Sequence, residues 1–268
     1  MASSNPGTFE GDQQEIEFVR WFNKNKKEYE KFILNFHLNM NKAWMIRVTT
    51  KQMSMLSNRK VFTRSDAYLI NSEDRFLIDL LHKSDYYMDE DILIKSNINY
   101  DIIRFSGISI KLKNSNDFQI LKVGPQSFKT LFGSYELGAG ASLFCLREDE
   151  LKKNTDLING WGSNVNKMNE FFHEFTGTTI DFEKDKDSCV KIKKYSVSQI
   201  TKVINESKLL QEKIFNGKTL YEEPYTAWYF TQGLTLKNLD FIPYYITTGS
   251  GRSKGDYTIV LKIGRAHV

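Results

Sequence analysis

The chain has 268 residues, with 37 Lys and Arg against 33 Asp and Glu, a formal net charge of +4, and 40% hydrophobic residues. A chain of this length buries a core without disulfides or a structural metal, so a stapled mini-protein is excluded and one elaborated domain is expected. The small positive charge permits a polyanionic partner but does not identify one.

Several features of the sequence predict a cytoplasmic protein with no membrane attachment. The opening Met1–Gly7 is polar, and no apolar run approaches the roughly 18 residues of a membrane span. The two cysteines, Cys145 and Cys189, are far apart and lack metal-ligand spacing. The last six residues, Ile263–Val268, match the in-frame translation of a common sequencing-library adapter, and we interpret them as an artefact that follows Lys262.

The first part of the chain predicts one long helix followed by short strands. Apolar residues recur at helical spacing among charges over Glu10–Asn41, with a start near Gly11. Short runs of β-branched and aromatic residues then predict strands. These runs are Trp44–Thr49, Ala67–Ile70, Asp91–Ile94 and Gly107–Leu112.

The remainder predicts helices and then a closing hairpin. Pro125–Phe132 is typical of a helix with proline in its first turn, whereas Gly133–Ala141 is rich in glycine and predicts a shaped loop. Helical patterns fill Glu148–Phe215. Within that stretch the clearest helix covers Ser198–Ile214, and a solvated charge cluster covers Glu183–Lys194. At the end, Phe241–Thr248 and Asp256–Leu261 predict strands around a turn at Gly249–Gly255. The predicted fold class is α/β, with a central mixed β-sheet flanked by helices and a mostly helical second half.

The most informative residues for chemistry lie on two of these strands. Asp66 directly precedes the predicted strand Ala67–Ile70, and Lys111 lies inside the predicted strand Gly107–Leu112. A carboxylate can hold Mg²⁺, a hard cation that keeps waters and substrate phosphate beside one or two carboxylates. A neighbouring ammonium can orient the attacking water or stabilise charge on a phosphate. The pair predicts metal-assisted phosphodiester hydrolysis, and the alternative is an ordinary strand-edge acid with a surface lysine.

Two further residues are candidates for the same site. Ser109 lies two residues before Lys111, so both side chains point to one face of the strand. Ser109 would be a weak, uncharged ligand, and filling a tight space is its alternative role. Glu15 shares a helical stripe with Phe18 and Phe22, where a carboxylate is costly unless it is paired or coordinated. Glu15 is therefore the candidate second acid, and a solvated helix acid is the alternative.

Together these residues resemble the Type II restriction endonucleases of the PD-(D/E)XK nuclease superfamily. The residues that carry the resemblance are Gly11 and Glu15 in a Gly-x-x-x-Glu pattern, Ser65–Asp66, and the Gly-x-Ser-x-Lys strand Gly107–Lys111. The similarity continues through Asn114–Gln119, Phe128–Gly133 and Thr248–Gly255. The chain departs from the family at Ser109, where the usual motif has Asp or Glu.

The resemblance implies a Mg²⁺-dependent endonuclease that cuts double-stranded DNA at a short specific sequence, within a restriction-modification system. Asp66 and Glu15 would be the metal ligands, and Lys111 and Ser109 the other catalytic residues. A restriction-endonuclease-like nuclease core would cover residues 1–145, and a helical and hairpin DNA-recognition region would cover residues 146–262. A cognate DNA methyltransferase is the implied functional partner, and a homodimer is compatible with the family.

The predicted DNA-facing residues are polar or basic and lie near the catalytic strand or in the closing hairpin. They are Lys113, Asn114, Gln119, Lys122, Arg252 and Lys254. Amide and lysine side chains can read base edges or hold phosphates, and cations in a glycine-rich turn can meet a phosphate. For the two hairpin cations a plain solvated turn is the alternative.

Three alternatives to a restriction enzyme stay open at this point. A repair or recombination nuclease of the same fold would prefer damaged or branched DNA to a sequence. A catalytically inactive DNA-binding protein would explain Ser109 as the trace of a lost metal site. The acidic run Asp89–Asp91 resembles the triplet that some sugar transferases use with a divalent metal, although acidic turns before strands are common.

Overall fold

The structure, a computed structural model, describes residues 6–48, 65–114, 117–216, 226–237, 244–253 and 256–264, with the side chains of 10–48, 65–114, 123–215 and 226–237. The chain forms two compact units. Unit 1 comprises Met1–Ser115 and Phe215–Phe241, and unit 2 comprises Asn116–Ile214 and Ile242–Val268. The division predicted at residue 145 separates DNA cutting from DNA recognition, and it stays a prediction.

The helices and strands follow one another along the chain with these bounds. The α-helices are α1 (Pro6–Lys24), α2 (Glu30–Leu34), α3 (Phe76–Lys83), α4 (Glu90–Lys95), α5 (Pro125–Phe132), α6 (Glu136–Ser142), α7 (Glu148–Leu151), α8 (Asn154–Gly160), α9 (Val165–Thr176), α10 (Lys186–Glu206) and α11 (Lys208–Asn216). A 3₁₀ helix covers Lys26–Tyr29. The strands are β1 (Ala43–Arg47), β2 (Ala67–Asn71), β3 (Asp101–Ile102), β4 (Ile108–Lys111), β5 (Asp117–Val123), β6 (Tyr229–Gln232), β7 (Thr235–Lys237), β8 (Tyr244–Ser253) and β9 (Asp256–Gly264).

Unit 1 is built on a mixed sheet in the order β1-β2-β4-β6-β7, with β3 paired to β2. The pairs β1–β2, β2–β4 and β6–β7 are antiparallel, whereas β4 and β6 run parallel. The predicted α/β class with a mixed sheet flanked by helices is therefore confirmed. Among the described residues, no helix is both long and apolar enough to cross a membrane.

The two faces of this sheet carry separate cores. On one face, the fully buried Phe18 and Phe22 of α1 pack with Met45 and Ile108. On the other face, Tyr68 and other residues of the first two strands pack with residues of α3 and α4. Side chains alternate along a strand, so Ile108 and Ile110 face α1, while Ser109 and Lys111 belong to the opposite face. This alternation positions the candidate site.

Unit 2 combines helices with an antiparallel sheet in the order β5-β9-β8. Within this unit α6 packs against α10 and β8. The predicted helical stretch after Glu148 and the closing strand pair are both present. Ile263 and Gly264 complete β9, where they pair with both neighbouring strands. Their origin as part of an adapter artefact stays a prediction.

Two predicted helices are broken in the structure. Instead of one helix over Glu10–Asn41, α1 ends at Lys24 and the 3₁₀ helix turns the chain before α2. The break brings the Tyr29 ring onto Phe22, with ring centroids 4.6 Å apart, so burial of aromatic surface outweighs helix continuity. The helix predicted over Ser198–Ile214 starts earlier and breaks at Ser207, whose hydroxyl accepts a hydrogen bond from the Leu210 N–H.

The strand predicted at Asp91–Ile94 is wrong, because this segment lies in α4. Asp89 caps that helix, since its Oδ1 accepts a hydrogen bond from Ile92 N–H at 2.8 Å. Leu93 is fully buried while Ile94 is 46% exposed, so the apolar residues of this run lie on different sides of a short helix. Four apolar residues do not by themselves distinguish a strand from a short helix.

The loop predicted at Gly133–Ala141 is also wrong, because most of it forms α6. A Cβ on Gly138 would lie 2.5 Å from the Trp161 ring, and one on Gly140 would lie 2.4 Å from Ser196 Oγ. The glycines therefore allow close packing of a buried helix, which outweighs their weak helix propensity. The turn predicted at Gly249–Gly255 is shorter than expected, because β8 continues to Ser253.

Candidate active site

Asp66 lies where β2 and β4 separate at one end of the mixed sheet. Ala67 pairs with Ile108, and the Asp66 N–H donates to the Ile108 carbonyl at 2.8 Å. Two residues further along β4, the Ile110 N–H donates to Asp66 Oδ2 at 2.7 Å. The Asp66 carboxylate thus accepts a hydrogen bond that a backbone carbonyl of a neighbouring strand would otherwise accept. A backbone N–H of a strand points within the plane of its sheet, so this carboxylate occupies the opening between two strands.

The structure brings Ser109 and Lys111 to the same carboxylate. The buried Ser109 hydroxyl donates to Asp66 Oδ2 at 3.3 Å, and the positive charge of Lys111 acts on Asp66. Both residues come from β4, which is held on its other edge by parallel pairing with β6. Ser109 is therefore a buried hydrogen-bond partner of the carboxylate, and its predicted role as a metal ligand stays a prediction.

Glu15 lies on α1, where the charge of Asp66 acts on it, and its carboxylate is hydrogen-bonded to an arginine. The stripe partners Phe18 and Phe22 are fully buried, as expected, and the Glu15 side chain is only 20% exposed. Arg47, the last residue of β1, donates from Nε to Glu15 Oε2 at 2.7 Å. The same guanidinium donates from Nη2 to Asp12 Oδ1 at 2.5 Å. Glu15 is thus neither solvated nor unpaired.

The ionisation of both carboxylates reflects the balance between burial and neighbouring charge. Burial raises the pKa of Asp66, and the Lys111 charge, the Ile110 N–H, Ser109 and Arg47 oppose this rise. Burial also raises the pKa of Glu15, and the negative charge of Asp66 raises it further against the effect of Arg47. Asp66 is therefore close enough to Glu15 for its negative charge to disfavour the ionised form of Glu15.

The donor chemistry of Glu15 and Asp66 fits a hard divalent cation. Both hydrogen bonds to Asp66 end on Oδ2, so Oδ1 takes part in neither. A cation held by the two carboxylates would relieve the repulsion between their charges, and Mg²⁺ commonly uses one or two carboxylates with waters. Within the described residues, no three His, Cys, Asp or Glu side chains are grouped to hold a metal ion. Any ion here would therefore depend on these two carboxylates, water and substrate.

Two predicted DNA contacts, Lys113 and Asn114, lie in a cleft of about 520 Å³ at the end of β4. They share the cleft with Leu112 and with residues on one side of α1, namely Glu10, Gln13, Gln14 and Glu17. The Lys113 stem lies beside Gly233, where an added Cβ would come within 3.2 Å of it. Two carboxylates beside one lysine make this a mixed polar surface rather than a basic one.

The other predicted DNA contacts belong to unit 2. Gln119 and Lys122 lie on β5 and Arg252 lies on β8, and their side chains are outside the described residues. Lys254 is itself outside the described residues. Their roles stay predictions.

Sequence reasoning missed Arg47, Asp12 and Tyr87. Tyr87 interacts with the Arg47 guanidinium and donates its hydroxyl proton to Asp89 Oδ2 at 3.1 Å, and burial with the Asp89 charge raises the pKa of Tyr87 to about 12. A signal for Arg47 was present, since it is the one charge in the run Ala43–Arg47. The spacing of Asp12 and Glu15, three residues apart on a helix, predicts one shared partner.

Comparison with known proteins finds no relative of this chain. The chain matches no protein-family model, no curated protein and no solved structure.

Proposed function

We propose that this protein is a Mg²⁺-dependent endonuclease that hydrolyses double-stranded DNA at a short specific sequence, as a Type II restriction endonuclease does. The observation that carries the proposal is the Asp66 carboxylate, which Ser109 and the Ile110 N–H hold at a strand end. The positive charge of Lys111 acts on this carboxylate, and the negative charge of Asp66 acts on Glu15. Glu15, Asp66 and Lys111 all lie in unit 1, and the sequence predicts this role for each of them. The mixed sheet with α1 against it supports a restriction-endonuclease-like core.

In this mechanism each side chain has a separate task. Glu15 and Asp66 would hold the metal ion, which supplies charge neutralisation at the phosphate and lowers the pKa of a bound water. The Lys111 ammonium would orient the attacking water and stabilise the added negative charge on the phosphate. Ser109 and the Ile110 N–H hold Asp66 Oδ2, so they fix the direction of the carboxylate that would hold the metal ion.

The remaining parts of the proposal concern partners. Lys113 and Asn114 would contact DNA from the cleft next to the catalytic strand, and Gln119, Lys122, Arg252 and Lys254 would contribute from unit 2. The protein would act in the cytoplasm, as a monomer or a homodimer, together with a DNA methyltransferase that protects the same sequence.

The test is cleavage of phage DNA with Mg²⁺ by the parent protein and by Asp66→Asn and Lys111→Ala. Asparagine keeps an acceptor for the Ile110 N–H, so Asp66→Asn removes the charge without removing the hydrogen bond. We expect discrete bands from the parent, reduced on the order of 100-fold in rate in both variants. Asp101→Asn and Lys95→Ala change exposed residues of the same types and should cleave like the parent.

Each other outcome would change the conclusion in a defined way. A smear that disappears in both variants would indicate a nuclease of low sequence specificity, and preference for branched duplexes would indicate a repair or recombination enzyme. Equal cleavage by the parent and by Asp66→Asn would reject this active site.

A catalytically inactive DNA-binding protein is the second candidate, and one observation favours it. The Arg47 guanidinium already neutralises Glu15, and Ser109 stands where a third carboxylate would be. In that case the parent should bind duplex DNA in a gel-shift assay without cleaving it, and Lys111→Ala should bind with the same affinity.

A further inference from the structure

The strongest unexplained feature of the site is the position of Arg47. Its guanidinium spans two carboxylates of α1, with Nε on Glu15 Oε2 at 2.7 Å and Nη2 on Asp12 Oδ1 at 2.5 Å. The Arg47 and Glu15 side chains are 22% and 20% exposed, so this is not a freely solvated surface pair. Such a partly buried, two-pronged contact is stronger and more directional than a surface salt bridge.

Arg47 also acts beyond α1. It interacts with the Tyr87 hydroxyl, and its charge favours the ionised form of Asp66. The charged groups around Arg47 include the carboxylates of Asp12, Glu15 and Asp66, and Asp89, which accepts the Tyr87 hydroxyl proton. The neighbouring cations include Lys111, which acts on Asp66, and Arg20, which lies over the Tyr87 ring. Arg47 donates to Glu15 Oε2, an oxygen of one of the two carboxylates proposed to hold a divalent cation.

We propose that Arg47 is an internal counter-cation that holds Glu15 in the metal-free protein and transfers to a DNA phosphate when a divalent cation takes that carboxylate. This inference rests on the proposed nuclease function and extends it to a residue with no previous role. The donor groups of a guanidinium match the geometry of a carboxylate and of a phosphate, so the same side chain can bind either group.

The geometry accounts for both halves of this exchange. Glu15 Oε2 is occupied by the Arg47 Nε, so a divalent cation and the guanidinium compete for one carboxylate. Loss of Glu15 leaves Arg47 with Asp12 and Tyr87, which keep the guanidinium at the end of β1 beside Asp66. A phosphate bound at Asp66 and Lys111 would then meet a second cation that has lost one of its two carboxylate partners.

The experiment measures Mg²⁺ binding by calorimetry and binding of a short DNA duplex by fluorescence anisotropy, in the parent and in Arg47→Met. Methionine keeps much of the arginine stem's volume and removes its charge. Because the competitor is gone, Mg²⁺ should bind Arg47→Met roughly tenfold more tightly, within the usual range of coupling between two ligands. The gain in DNA affinity that Mg²⁺ produces in the parent should be lost.

The opposite signs of these two effects separate the proposal from a structural role, which would weaken both. Lys42→Met is the matched control, since it removes a cation ion-paired to Glu73 near the other end of β1 and should change neither affinity. Arg47→Lys, which keeps the charge, should bind Mg²⁺ less tightly than Arg47→Met. Comparing two variants at the same position guards against an effect that comes from the misfolding of one of them.

Two results would overturn the inference, and they differ in what else they reject. If the parent binds Mg²⁺ and DNA but Arg47→Met binds Mg²⁺ no more tightly, only the role of Arg47 is rejected. If the parent binds neither, the proposed function fails and the inference fails with it.

Discussion

Unit 1 contains two carboxyl groups in opposite situations: Asp66, partly buried at the candidate site, and Glu90, fully buried at the start of α4. Asp66 Oδ2 accepts two hydrogen bonds, and two cations act on the group. Glu90 is fully buried, and neither of its carboxylate oxygens has a hydrogen-bond partner. The nearby Tyr100 hydroxyl is likewise buried without a partner, and its pKa is raised by burial and by the Glu90 charge.

The comparison separates the effect of burial from the effect of partners. Burial raises the pKa of both groups, but the neighbours of Asp66 oppose the rise, whereas the charges of Asp91 and Asp89 add to it at Glu90. The pKa of Glu90 reaches about 8, so at neutral pH this group is mainly a neutral acid. A carboxyl group away from water keeps its negative charge more readily where the fold supplies hydrogen-bond donors and positive charge.

The largest expected effect is on the pH dependence of stability, through Glu90→Gln. The folded pKa of Glu90 lies above its ordinary value of 4.5, so the folded state binds the extra proton between pH 4.5 and about 8. Its contribution to the free energy of unfolding is then full below pH 4.5 and falls as pH rises to about 8, by at most about 1.4 kcal/mol per pH unit. Glutamine does not titrate, so the Glu90→Gln curve should decline less steeply.

Chemical denaturation at several pH values between 5 and 9 measures this difference. Glu174→Gln, at an exposed position on α9, is the matched control and should follow the parent curve. If the free energy of unfolding depended on pH in the same way in the parent and in Glu90→Gln, Glu90 would titrate at its ordinary pKa. The contrast drawn with Asp66 would then be wrong.

The next effect concerns the hydrogen bond between Asp66 and the Ile110 N–H. Alanine at position 66 removes the acceptor, whereas asparagine keeps one, so the Ile110 N–H loses its partner only in Asp66→Ala. We expect Asp66→Ala to be less stable than Asp66→Asn by about 1–3 kcal/mol, the cost of an unsatisfied buried donor. Urea unfolding of both variants gives this difference directly.

The same pair of substitutions at the exposed Asp101 should differ by less than about 0.5 kcal/mol. If the two Asp66 variants were equally stable, the carboxylate would have no structural role at the opening between β2 and β4.

The smallest effect is expected from Ser109→Ala. Its hydrogen bond to Asp66 is long, at 3.3 Å, so its loss should lower the free energy of unfolding by less than about 1 kcal/mol. We expect Mg²⁺ affinity, measured by calorimetry, to change little, because Asp66 keeps the Ile110 N–H. A large loss of Mg²⁺ affinity would instead make Ser109 a metal ligand.

Ser106→Ala provides the contrast for that measurement. The Ser106 hydroxyl accepts from Leu69 N–H and donates to the Ile103 carbonyl, away from Asp66. This variant should lose more stability than Ser109→Ala and leave Mg²⁺ affinity unchanged.

Much of the fold of unit 1 could be predicted because its signals are local. The β-branched and aromatic runs at β1, β2 and β4 are strands, and the apolar stripe of α1 is buried. In both units the failures arose where packing outweighed local preference. The glycines of α6 let a helix lie close to Trp161, and the apolar run at α4 forms one short helix under an Asp89 cap.

The candidate site was predictable in part for the same reason. Asp66, Ser109 and Lys111 stand at positions where strand alternation constrains their faces, and the stripe of α1 selects Glu15. Arg47 was not predictable in its role, because its partners depend on how α1 lies across β1. The cleft shared by Lys113 with Glu10 and Glu17 likewise depends on this packing.

By itself, the sequence determined which segments become helix or strand wherever their periodicity is strong, and which residue types could bind a metal. The tertiary structure alone decided that Asp66 bridges to the Ile110 N–H, that Arg47 neutralises Glu15, and that Glu90 is buried without a partner. Periodicity is a property of neighbouring residues, whereas the charge state of a carboxyl group depends on which distant donors and cations the fold brings to it.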